Sequence, residues 1–214
     1  MASRMLHLAI CHCLERQIGQ PADNRLRLGH LLPDAVLSRT KKEANSHFVI
    51  QDERRKAMDL SGFYEGYRHK LPGDSLYLGY YFHLIQDAVF RKFLYEDMGY
   101  ISIRREPGFV KALYTDYRLL NPYLVKKYGL TADIRIPEDF EREEIRQIFP
   151  FEIEAFWAEM KEEFHSRPMG RPQLFPQEAA DEYITRCATL CTDEWNAFRE
   201  GGRHMHSWEI SWTK

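Results

Sequence analysis

The chain has 214 residues, with 30 basic side chains against 32 acidic ones and a formal charge of -2. Hydrophobic residues make up 44% and aromatic residues 14%, which argues against disorder and gives one domain enough material for a sizeable core. The balanced charge supplies no global field for nucleic acid or an anionic membrane.

No apolar run approaches the roughly 20 residues that span a bilayer. The opening segment lacks the charged, apolar and small-residue regions of a signal peptide. Cys11, Cys13, Cys187 and Cys191 are too few for a disulfide framework, so the chain reads as cytoplasmic.

Hydrophobic spacing predicts an all-α protein: one compact multi-helix domain over 1–214, with 201–214 as a tail. The first helix runs from about Ser3 to Gln17. A short apolar piece, Leu26 to Leu32, leads to Pro33-Asp34, where the chain turns. A polar loop follows, and its Arg39, Lys41 and Lys42 are candidates to meet a substrate phosphate, although a solvated loop explains them as well. A helix is expected from about Asp52 to His69. The next is capped by Asp74 or Ser75 and ends near Gly99. Further helices are expected over Phe109 to Tyr128 (kinked or split at Pro122), Phe140 to Ile148, Phe151 to Phe164, and Gln177 to Arg199. The tail from His206 to Trp212 reads as a short strand or an extended packing arm.

The helix from Leu76 to Phe90 carries the chemistry. It is apolar around its whole circumference except at His83, Gln86 and Asp87. His83 and Asp87 are spaced to project from one side, one turn apart. A carboxylate in such surroundings needs a compensating partner. A divalent cation provides one; a structural His–Asp hydrogen bond or a paired arginine is the alternative. His7 on the apolar face of the first helix, Asp34 after Pro33, and His47 before Phe48 would extend the set to three histidines and two aspartates. That combination suits zinc, and also admits iron or manganese.

The stretches ASRMLHLAI, LGHLLPDA, SHF and YLGYYFHLIQD, in that order over the first 90 residues or so, resemble the bacterial zinc-dependent phospholipase C-like family. That family is related in fold to phospholipase C and the P1/S1 nucleases. The resemblance implies a phospholipase C/P1 nuclease type of fold and metal-ligand roles for His7, Asp34, His47, His83 and Asp87. It further implies that water activated by the metal attacks a phosphodiester, with Asp34 as the catalytic carboxylate that orients or deprotonates it.

The chain departs from the founding enzymes in having no histidine between His83 and His165, and Phe93 stands near where one is expected. With no cleavage signal ahead of His7, their processed amino-terminal tryptophan ligand is expected to be missing. One or two zinc ions are therefore expected rather than three. Asp116 or Tyr117 is a candidate further ligand or substrate contact, and His204, His206 and Glu209 are candidate late ligands. The expected activity is hydrolysis of a small-molecule or lipid-headgroup phosphoester. The alternative is a non-catalytic helical protein with a structural metal or a hydrogen-bonded His/Asp core.

Overall fold

A computed structural model describes residues 2–19, 23–36, 44–202 and 204–214. Among the described residues, eight α-helices and one small sheet form a mostly helical architecture around a continuous apolar core. Helix α1 (Arg4–Gln17) starts where the Ser3 side chain accepts the Leu6 N–H. Helix α2 (Asn24–Gly29) is capped by Asp23, and a 3-10 turn at Leu32–Ala35 follows it.

The expected helix from Asp52 is corrected here. Val49–Gln51 (β1) and Arg55–Met58 (β2) form an antiparallel hairpin pairing Val49 with Met58 and Gln51 with Lys56. The Asp52 carboxylate accepts the N–H groups of Arg54 and Arg55 at 2.8 and 2.6 Å, a local reversal that competes with helix formation. Helix α3 begins only at Leu60 (Leu60–Tyr67), with Asp59 as its cap.

Helix α4 (Ser75–Lys92), capped by Asp74, is the axis of the molecule. Every residue from Leu76 to Phe90 is buried, as its all-round apolar pattern requires. A π-helical turn, Phe93–Asp97, extends it. Helix α5 (Phe109–Tyr128) passes through Pro122 as one element. Arg118, whose carbonyl loses its helical partner to that proline, is exposed.

The expected helix over Phe140 to Ile148 is broken into a 3-10 turn (Phe140–Arg142) and a short α6 (Glu144–Ile148). Helix α7 (Ile153–His165) precedes α8 (Gln177–Glu200), which ends on the left-handed Gly201. The tail supplies β3 (Trp212–Thr213), pairing Lys56 with Trp212. Among the described residues, no helix is long and apolar enough to cross a membrane.

Candidate metal centre

Four elements bring the five expected ligand residues together. Helix α1 carries His7 and α4 carries His83 and Asp87; the 3-10 turn carries Asp34, and the turn before β1 carries His47. His7, His83 and Asp87 form one group of potential metal-binding atoms, and Asp34, His47 and His83 a second, with every atom of a group within 4.8 Å of the others.

The two groups share His83 and touch through Asp87. His7 Nε2 lies 3.6 Å from Asp87 Oδ1, and His47 Nε2 lies 3.5 Å from Asp87 Oδ2. His47 Nε2 is also 3.4 Å from Asp34 Oδ1. The His7 and His83 rings stack with centroids 4.0 Å apart. No arginine pairs with Asp87 among the described residues; besides the imidazoles, its partner is the Ala2 N–H, at 2.8 Å.

The inner ring nitrogens all face one way because the outer ones are engaged. His83 Nδ1 lies 2.8 Å from the His30 carbonyl, which can only accept, so Nδ1 carries the proton. Ser46 donates its hydroxyl to the Pro33 carbonyl at 2.8 Å, leaving its oxygen to accept from His47 Nδ1 at 3.1 Å. Gln86 Oε1 accepts from His7 Nδ1 at 2.6 Å, while its amide nitrogen donates to His30 Nδ1 at 3.0 Å. In this scheme each Nε2 presents a lone pair to the centre, the arrangement that outer partners impose on metal-binding histidines.

Two atoms then lack what burial demands. His7 Nε2 and Asp87 Oδ2 are buried without a hydrogen-bond partner. His83 Nε2 and His47 Nε2 stand 3.2 Å apart, lone pair towards lone pair unless a proton or cation lies between. Two nitrogens bound at about 2.0–2.1 Å to a four-coordinate ion would stand roughly 3.3 Å apart. The nitrogen and carboxylate donors therefore fit a metal ion.

Electrostatics favours the ligand forms. Burial, and then the neighbouring His7, push the His83 pKa well below its usual value and keep the ring neutral. Burial works against the charged form of Asp87, but nearby positive charge holds its pKa well below the usual carboxylate value.

The turn that presents His47 is under local constraint. Asn45 and Phe48 take left-handed backbone, with φ of 46 and 49°. Phe48 is anchored there by ring contacts to Phe63, Tyr80 and Phe149. The Tyr80 hydroxyl donates to the Ser46 carbonyl at 2.5 Å, fastening the turn to α4.

The other candidates sit elsewhere. Asp116 Oδ2 accepts the N–H groups of Gln173, Leu174 and Phe175 at 2.9, 2.5 and 2.9 Å, so it organises the proline-rich loop between α7 and α8 (residues 166–176). Tyr117 is buried, its ring packed on Phe90 and Phe175, and burial followed by the charge of Asp87 raises its pKa. His204 packs on Tyr64 and Phe198, and Glu209 accepts the backbone N–H of His206; the tail is a packing arm. Its histidines join no potential metal-binding group among the described residues, nor do the cysteines, all four of which are free. Arg39, Lys41 and Lys42 lie outside the described residues.

His30 and Ser46, which with Gln86 orient the imidazoles, carry no local mark in the sequence. Gln86 carried the one available signal, as a polar residue inside an apolar helix. Together these observations define a mostly helical protein with a buried histidine–aspartate centre able to hold a metal ion. Comparison with protein-family models, curated proteins and solved structures gives no match.

Proposed function

We propose that this chain is a zinc-dependent hydrolase of a phosphate ester, with a phosphodiester as its substrate. One observation carries the reading: three imidazoles, each with Nδ1 engaged, turn Nε2 towards two carboxylates. His7, His47, His83, Asp34 and Asp87 would hold one or two ions. His83 offers a single lone pair and can serve only one of them, whereas Asp87 has an oxygen towards each group. Nitrogen and carboxylate donors favour zinc, and accept iron or manganese.

Zinc in such a set supplies Lewis acidity and a water with its pKa brought towards neutrality. The protein's own part divides by depth. Asp87 is wholly buried and balances charge, while the Asp34 side chain keeps 11% exposure. With a metal bound, Asp34 would orient the attacking water and take its proton. The four free cysteines support a reducing compartment such as the cytoplasm.

The test is metal analysis of untagged protein together with turnover of a chromogenic phosphodiester. Stoichiometric zinc is expected, with hydrolysis abolished by chelator and restored by zinc. Asp34→Asn should retain metal and lose about 100-fold or more in kcat, in keeping with removal of a general base. Bound zinc without hydrolysis of any phosphoester would instead establish a structural metal.

A further inference from the structure

A cavity of about 290 Å³ opens beside His47, between the hairpin, the distal end of α4 and the segment carrying Arg104 and Arg105. Lys56, Arg91, Arg104, Arg105 and Lys214 line it together with His47, and among the described residues no Asp or Glu side chain does. Among the described residues, none of these five cations forms an ion pair with a carboxylate side chain. Such crowding raises the energy of every member unless an anion enters.

Arg91 is the most telling of them. It follows Asp87 by one helical turn, so it leaves α4 on the same side as the ligand residues. Its Nη1 donates to the Tyr95 hydroxyl at 2.9 Å, but its Nε is buried with no hydrogen-bond partner. A guanidinium has five donors in a planar fork, and leaving them unfilled in a partly dry site is unfavourable. Its neighbour Arg104 is fixed differently, stacked on Tyr95 with its donors on the Ile101 carbonyl and on the main-chain oxygen of Lys214, the last residue.

We propose that this cavity is a phosphoryl-recognition subsite whose ligand is a soluble phosphorylated small molecule. Arg91 grips two phosphoryl oxygens through its fork, and Lys56 and Arg105 supply the remaining charge. A dianionic phosphoryl group matches several unpaired cations better than a single carboxylate does, and its oxygens suit bidentate arginine. The volume lies just below the roughly 300–1,000 Å³ usual for small-molecule sites, which suits a small ligand, and charged heads on the wall exclude acyl chains. As a statement about substrate the inference rests on the phosphoester reading of the metal centre; as a statement about binding it does not.

The test is calorimetric titration of the full-length protein, as purified, with glycerol 3-phosphate and with inorganic phosphate, zinc content being measured for every sample. Saturable binding is expected. It should weaken at least tenfold in Arg91→Gln and in the double variant Lys56→Gln/Arg105→Gln, which keeps the partly buried Arg91 and so guards against a folding failure. Arg135→Gln, at an exposed site elsewhere, should bind as wild type does.

The proposal is overturned if wild type binds neither compound, or if both sets of variants bind normally. It is also overturned if binding survives those substitutions but vanishes on chelation, or if phosphatidic acid vesicles bind and glycerol 3-phosphate does not. Phosphate binding through Arg91 in a protein that hydrolyses no ester would sink the reaction and leave the subsite standing. Zinc-dependent hydrolysis with phosphate binding indifferent to all three cations would do the reverse.

Discussion

Gly29 and Gly79 meet backbone to backbone where α2 crosses α4. A Cβ on Gly29 would lie 2.2 Å from the Leu76 carbonyl oxygen, and one on Gly79 would lie 2.3 Å from that of Leu26. Neither position has room for a methyl group. This contact sets the height of the His30 carbonyl and of the Asp34 turn against His83. Gly79→Ala should therefore cost about 1–3 kcal/mol or more, as overpacking against an immovable backbone does. It should also lower metal content, because the helices must separate. Denaturant unfolding and metal analysis check this, and a variant with normal stability and full metal would refute the account.

Metal removal should destabilise the whole molecule, since the centre ties α1, α4 and two loops together. An ion present at 100 times its Kd contributes about 2.7 kcal/mol, or roughly 5–10 °C in Tm for a chain of this size. Chelation should produce a shift of that order in wild type and none in His83→Ala. A wild-type Tm insensitive to chelator, in protein shown to have released its metal, would contradict the placement.

Gln86 holds His7 and His30 at once, through its oxygen and its nitrogen. Gln86→Leu keeps much of the volume and removes both bonds. Metal affinity should fall by about 10- to 100-fold, the usual consequence of losing an orienting partner. Competition with a chromogenic chelator measures it, and an unchanged affinity would show that His7 needs no such support.

His30 is wholly buried, and burial, reinforced by the nearby His7, lowers its pKa to about 3. Between that value and the unfolded value of about 6.5, the unfolded chain binds a proton that the native state refuses. The associated stability is present above the unfolded pKa and is lost as pH falls below it, at up to about 1.4 kcal/mol per pH unit. His83, also lowered, acts with the same sign. His30→Asn retains an acceptor for Gln86 while removing the titrating group. Its unfolding free energy, measured in chelator from pH 7 to 5, should fall less steeply than that of wild type, by close to one proton's worth. Equal slopes would count against it.

Asp116 offers a control outside the centre. Because its carboxylate takes three backbone N–H groups of the proline-rich loop, Asp116→Ala should cost roughly 2–4 kcal/mol, on the scale of hydrogen bonds to a charged group. Metal content should stay at the wild-type level. Loss of metal with unaltered stability would return Asp116 to the list of ligands.

Local pattern alone was enough to establish a mostly helical molecule and the burial of α4, because a segment apolar on every side has no stable place except the interior. It was enough, too, to mark His83 and Asp87, since polar groups in such a helix require partners wherever the helix sits. The hairpin at Val49–Met58 was not legible, because an Asx turn and pairing with the distant Trp212 outweighed the helical spacing after Asp52. Nor was the unbroken α5, where exposure of Arg118 makes Pro122 tolerable. Which histidines converge, which nitrogen each one turns inward, and which cations share a cavity with His47 depend on contacts between residues tens of positions apart. His7 and Gln86 become neighbours, as do Pro33 and Ser46, or Lys56 and Arg91, only when helices close on one another. Side-chain chemistry is written in the chain, but the distances that turn it into a site are set by packing.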